Sequence, residues 1–209
     1  MSRREEIIVL GAGVVGMATA LTLTGRGHRV TVVDAAHGPG LGTSFANGAQ
    51  LSYAYTDALA SPSVLRQIPR ILLGLDSALR FQPHLDPDFL RWSIAFLRNC
   101  GASAFGRNTL AGLVLAARSR LALDQLTERH ALEFGHSVAG KIHLYRTAAS
   151  FAAAEAMVSL KRANGITQTL LDPAAAVALE PMLAPIQHEI VGGLHTPGEA
   201  AGDPHRFCT

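Results

Sequence analysis

The run Gly11-Ala12-Gly13-Val14-Val15-Gly16 reads G-x-G-x-x-G, and an acid, Asp34, stands 18 residues beyond its last glycine. That spacing suits phosphate chemistry. Gly11 permits a tight turn, the missing Cβ of Gly13 lets backbone approach a pyrophosphate, and Gly16 lets a helix pack closely on a strand. Val14 and Val15 fall in the first helical turn, whose N–H groups and partial positive charge attract phosphate oxygens. Asp34, with Ala35 after it, is placed to accept hydrogen bonds from the ribose of an adenosine. An acid there repels a 2′-phosphate, which disfavours NADP.

A second polar run follows at once. Thr43-Ser44-Phe45-Ala46-Asn47-Gly48-Ala49-Gln50-Leu51-Ser52 sets hydroxyls and amides among small residues. An NAD-binding domain would normally proceed to its next crossover at this point. Thr43, Ser44, Asn47, Gly48, Ala49 and Gln50 instead offer donors for a long ligand with a pyrophosphate, a ribityl chain and a ring system. Tyr53 and Tyr55 come directly after. Either phenol suits the lining of a substrate pocket, and a buried aromatic with a satisfied hydroxyl fits each equally well.

These residues need a strand–helix–strand frame, and the sequence supplies one. Ile7-Ile8-Val9-Leu10 is a short apolar strand of the parallel, doubly covered kind. A helix is expected from about Val14 to Thr24, with Gly25 and Gly27 as stop signals, then a strand at Arg29–Val33 with Asp34 at its end. The uncharged stretch 7–25 also imitates an export signal, but Glu5 and Glu6 spoil its positive flank and three glycines punctuate it. Further on, Asp86-Pro87 caps a helix whose Phe89, Leu90, Ile94 and Leu97, extended by Trp92 and Phe96, are expected to be core. A long helix is expected over 109–130, an alternating strand over 141–146, an alanine-rich helix over 148–162 and a short helix from Asp172-Pro173. A strand over 189–195 and a last helix start at Asp203-Pro204 complete the pattern.

Composition bounds the rest. The chain has 209 residues, is 48% hydrophobic and 16% charged, and carries a net charge of +2. That excludes a disordered chain. No basic block marks a nucleic-acid partner. Cys100 and Cys208 form no framework, which suits a reducing, cytoplasmic compartment. Nine histidines, of which His130, His136 and His143 come nearest to a set, show no ligand spacing, so no metal is expected. No G-x-S-x-G occurs, which leaves an esterase elbow unsupported.

The fingerprint GAGVVG, the strand-end Asp34 and the run TSFANGAQLS together resemble FAD-dependent D-amino-acid dehydrogenases, within the flavin amine oxidoreductases that include glycine, sarcosine and D-amino-acid oxidases. The resemblance continues through Asp86–Trp92, Phe96–Cys100, Leu179-Glu180-Pro181 and Gly192–Pro197. One departure is Asn47-Gly48-Ala49, where related sequences often read Asn-Ala-Gly. The resemblance implies an α/β fold: a Rossmann-like FAD-binding domain plus part of an α+β substrate domain on an antiparallel sheet. It implies an expected division into 1–52 (nucleotide part), 53–200 (helical and substrate segments) and 201–209 (a return to the nucleotide part). It also implies FAD as cofactor and oxidation of a D-amino acid to a 2-oxo acid and ammonia. Electrons would leave to a respiratory-chain or quinone acceptor, with peripheral attachment to the inner face of the membrane. A flavin oxidase of secondary amines and a catalytically silent fragment are the alternatives. Family members are about twice as long, so the chain is expected to be an N-terminal half, with the substrate-carboxylate residue in the other half.

Overall fold

The structure, a computed structural model, describes residues 3–75, 84 and 86–209. The chain forms two compact units: Met1–Ser52 together with Ala122–Thr209, and Tyr53–Leu121.

In the first unit, β1 (Glu6–Leu10) leads through α1 (Val14–Gly25) to β2 (Arg29–Val33). β1 and β2 pair in parallel, Glu6 opposite Arg29 and Leu10 opposite Val33. The stretch that imitates an export signal is thus a strand and a helix. Double coverage of this sheet, however, is not observed: Ile8 and Leu10 are 67% and 80% exposed, whereas Ile7 and Val9 are half-buried. Helix α1 packs on both strands, with Val9 beside Gly16.

An antiparallel sheet follows, in the order β4 (Lys141–Tyr145), β6 (Gly192–Thr196), β5 (Thr169–Leu171). An antiparallel sheet is what the sequence analysis expects outside the glycine turn. Helix α5 (Ala148–Arg162) is capped by Thr147, whose hydroxyl accepts the Ser150 N–H at 3.2 Å, and packs on β4 and β6. Asp172 caps α6 (Pro173–Leu179) by accepting the Ala175 N–H at 2.7 Å. Residues Pro181–Glu189 then wind as a 3-10 helix, so β6 begins at Gly192 and not at Glu189. Two short elements return to the nucleotide part. β7 (Ala200–Ala201) pairs antiparallel with β3 (Gln50–Leu51), and α7 (Pro204–Cys208), capped by Asp203, packs against α1. Phe134, Val158, Ala176, Ile190 and Leu194 form the buried core, with Phe134 edge-on to Phe207 at 5.3 Å.

The second unit is helical. It contains α2 (Pro62–Leu72), α3 (Pro87–Asn99) and the first part of α4 (Ala102–His130). α4 starts seven residues earlier than its apolar pattern predicts, because Gly106 does not break it. The expectation that the α3 face is core is overturned: Leu90, Trp92, Ile94 and Leu97 are each about half exposed. Phe89, Trp92 and Phe96 instead stack along the helix itself, with ring centroids 5.9 and 5.4 Å apart. The buried centre of this unit is Cys100 and Thr109, whose hydroxyl accepts the Ala58 N–H at 3.2 Å. No described helix is long and apolar enough to cross a membrane.

Candidate dinucleotide site

The turn from β1 into α1 is built by its glycines. Gly11 has φ +102°, a conformation that L side chains rarely adopt, and its N–H donates to the Val33 carbonyl at 2.7 Å. A Cβ on Gly16 would overlap the Gly11 carbonyl oxygen, so helix and turn can touch only if residue 16 is glycine. Gly13 is the N-cap of α1 and offers no side chain to the first turn. The first intrahelical bond runs from the Met17 N–H to the Gly13 carbonyl at 2.9 Å. The N–H groups of Val14, Val15 and Gly16 therefore precede the helical ladder and point outward from its positive end.

Ser44 comes to this end from the second polar run. Its hydroxyl accepts the Val14 N–H at 3.2 Å, and a Cβ on Gly13 would lie 3.1 Å from that same oxygen. Ser44 is 7% exposed, whereas Thr43 and Asn47 face solvent. Near Ser44 stands Cys208 of α7, which is buried. Burial pushes the Cys208 thiol up from its ordinary range, and the Ser44 contact offsets part of that rise. The same helix closes on Gly40, whose Cβ position lies 3.1 Å from both Cys208 Cβ and His205 Cδ2. His205 in turn meets Phe45 edge-on at 5.2 Å. Cys208 and His205 are partners that the sequence did not reveal, since nothing in a five-residue helix start predicts what it packs against.

Asp34 ends β2 facing the turn. Its Oδ2 accepts the Ala12 N–H at 2.7 Å and its Oδ1 the Ala36 N–H at 2.8 Å. The Ala12 N–H first, and the Ala36 N–H after it, hold the carboxyl below the usual carboxylate range against the opposing effect of desolvation. Each carboxylate oxygen has a second lone pair, so the acceptor capacity for a ribose hydroxyl is retained. A groove of about 460 Å³ opens beside it, lined by Ala12, Val32, Asp34, His37 and Pro39 among others. The groove and the α1 N-terminus meet at Ala12.

Farther along the run, the Asn47 side chain accepts the Ala49 N–H at 2.8 Å and the Ala49 carbonyl accepts the Gly202 N–H at 2.9 Å. Ala49 has φ +52°, whereas Gly48 does not have a positive φ. The left-handed residue of Asn47-Gly48-Ala49 is thus the alanine and not the glycine before it. Gln50 in β3 receives a hydrogen bond at 2.7 Å from the ammonium of Lys141, the first residue of β4, which also donates to Ser52 at 3.3 Å. Tyr53 and Tyr55 belong to the second unit. The Arg120 guanidinium lies over the Tyr53 ring at 5.2 Å, and Tyr55 is 54% exposed.

A parallel β–α–β turn of glycines, an acid at the end of the second strand and a hydroxyl at the helix N-terminus together define a nucleotide-binding unit of the Rossmann class. The chain belongs to the DAO family of FAD dependent oxidoreductases, whose family model matches residues 6–209. It is 43% identical over 204 residues to D-amino acid dehydrogenase 2 of Ralstonia nicotianae and 38% identical over 203 residues to a D-amino acid dehydrogenase of Paramagnetospirillum magneticum. Each alignment covers 97% of this chain and 48% of the relative, so the chain spans about half the length of the curated relatives it matches. Among solved structures, glycine oxidase from Geobacillus kaustophilus superposes with a TM-score of 0.64 at 20% identity, over 99% of this chain and 43% of that one. L-proline dehydrogenase from P. horikoshii gives 0.56 at 17% identity, over 100% and 40%. These two likenesses establish the α/β fold.

FAD fits the residues present. The groove beside Asp34 has room for an adenosine, and Gly13 itself puts no side chain in the phosphate path. The Ser44 hydroxyl already occupies the position of an acceptor at the α1 N-terminus, as a phosphate oxygen would.

Proposed function

We propose that this chain is the nucleotide-holding part of an FAD-dependent D-amino-acid dehydrogenase. The single observation that carries the geometry is the arrival of one polar run at two places: Ser44 at the α1 N-terminus and Gln50 at the edge of the antiparallel sheet, beside Lys141. A cofactor long enough to follow that run has a pyrophosphate at one end and a ring system at the other. The substrate class rests on the relatives, which are 34–43% identical and carry the name D-amino acid dehydrogenase.

In this reading Asp34 holds the adenosine ribose, and Ala35 lies beside it. Gly11, Gly13, Val14, Val15 and Gly16 present backbone to the pyrophosphate, with the Ser44 hydroxyl turning from Val14 toward a phosphate oxygen. Thr43, Asn47, Gly48, Ala49 and Gln50 border the ribityl chain and the ring. Residues 1–52 and 201–209 make up the cofactor part, which the pairing of β7 with β3 supports, and 53–200 supply the substrate part. Tyr53 or Tyr55 contributes a phenol to the substrate pocket. Bound FAD supplies the hydride acceptor for the substrate Cα–H. The products are a 2-oxo acid and ammonia, after water adds to the imino acid. The protein residues orient the substrate and receive it with a neutral amine.

The name dehydrogenase on the relatives supports an acceptor other than oxygen, such as a respiratory-chain quinone. Two free, buried cysteines support a cytoplasmic setting, with peripheral seating on the inner membrane face for electron delivery. Exposed Leu72, Leu73 and Leu75 beside Arg66 and Arg70 support that seating. The test is a flavin spectrum of the full-length protein with a dye-reduction assay on D-amino acids. The expected result is a yellow protein that reduces the dye without forming peroxide. A flavin-free protein that binds NAD would contradict the proposal, and so would peroxide formed stoichiometrically from sarcosine.

A further inference from the structure

Lys141 and Gln50 are 91 residues apart in sequence, yet the Lys141 ammonium donates to Gln50 Oε1 at 2.7 Å and to Ser52 Oγ at 3.3 Å. Lys141 is half-buried at the start of β4, and Gln50 is exposed in β3, which pairs with β7. An ammonium has three donors and no lone pair, so it can face only the oxygen end of a carboxamide. With Oε1 held by Lys141, the NH₂ end of Gln50 points the other way. A carboxamide free to flip offers a ligand either a donor or an acceptor, and this one is restricted to the donor.

Resting on the flavin reading above, we propose that Lys141 is a positioning residue that fixes Gln50 as a hydrogen-bond donor to an acceptor atom of the flavin ring system. The ring's carbonyl oxygens and unprotonated nitrogens are acceptors, so a locked donor matches them and a flipped amide would oppose them. Lys141 and Lys161 are the chain's lysines, and Lys161 is 2% exposed in the core. The ammonium at position 141 is therefore the lysine that reaches the polar run. Ser52 holds the same ammonium from a second side and fixes its direction.

The test is a double-mutant cycle on the full-length protein, read as FAD dissociation constants and as the visible absorption band of the bound flavin. Lys141→Met and Gln50→Ala are each expected to weaken FAD by about ten-fold, the scale of one hydrogen bond assisted by a charge. The double variant is expected to be no weaker than Gln50→Ala alone, because the lysine acts through the amide. Lys141→Arg, also a pure donor, restores affinity and band position. Lys141→Glu turns the amide end for end and weakens FAD more than Lys141→Met does. Should Lys141→Met fail to fold, Arg against Glu at 141 decides the same point. The proposal is overturned by a Lys141→Met protein that keeps wild-type affinity and spectrum, or by additive losses in the double variant. A wild-type protein without flavin would instead remove the underlying reading, so the two failures are distinct.

Discussion

Ser44 Oγ lies 3.2 Å from the Val14 nitrogen and accepts its N–H, closing the N-terminus of α1 with a side chain from 30 residues downstream. The relationship is a cap supplied from outside the helix, since Gly13 at the N-cap has no side chain to offer. Ser44→Ala removes the acceptor. The expected outcome is a loss of about 1 kcal/mol of stability, typical for a lost cap. FAD affinity is expected to fall about ten-fold as the phosphate contact is lost with it. Denaturant unfolding and flavin titration of the same preparation check both.

Gly13 and Gly16 separate function from folding. A Cβ at Gly13 meets only the Ser44 hydroxyl, at 3.1 Å, so Gly13→Val displaces Ser44 and blocks the phosphate path while helix content persists. A Cβ at Gly16 overlaps the backbone of Gly11, which cannot yield without moving β1. Gly16→Ala is expected to cost about 2–3 kcal/mol, in the range of core overpacking. Circular dichroism with thermal melting distinguishes them: the first variant loses flavin and melts only as early as Ser44→Ala does, whereas the second melts earlier still.

Ala49 carries φ +52° without being glycine. At an ordinary position an alanine-to-glycine change in a folded element costs about 0.5–1 kcal/mol through chain entropy. At this one it also relieves a left-handed strain of about 1–2 kcal/mol. Ala49→Gly is therefore expected to leave stability unchanged or raise it by up to about 1.5 kcal/mol, and Ala49→Val to lower it. Urea midpoints of the two variants against wild type give the sign.

Asp34 has a folded pKa below its unfolded value, because Ala12 and Ala36 donate to the ionised form. Its contribution to stability is thus complete above the ordinary carboxylate value and lost as pH falls through the folded one. Asp34→Asn does not titrate there. Between about pH 6 and about pH 3 the wild type is expected to lose more stability than the variant, by the linkage of this one group. Parallel losses in the two proteins would show that Asp34 is not held by these N–H groups.

Much of the frame was legible because it rests on local rules. Gly11, Gly16 and the β-branched run Arg29–Val33 specify β1, α1 and β2, and the Asp-Pro pairs at 172 and 203 cap helices with side-chain bonds to Ala175 and His205. What was hidden depends on contacts between distant residues. Helix α2 contains Pro69, a breaker by local rules, and was not predicted. The exposed α3 face has the 3.6 period of a core helix, and periodicity records which residues share a face and not whether anything covers it. The Ser44–Val14 and Lys141–Gln50 contacts join segments 30 and 91 residues apart, and no spacing rule marks either. Ala49 was visible only as a displaced glycine; its φ gives that displacement a physical meaning.

The central claim is that these residues hold an FAD reduced by D-amino acids. Its most direct measurement is the visible flavin band of the full-length protein, followed anaerobically as D-alanine and then L-alanine are added to separate samples. Bleaching by the D-isomer and not by the L-isomer, with colour restored by an artificial electron acceptor, is the predicted result. A flavin band that neither isomer bleaches, or that L-alanine bleaches equally, would contradict it.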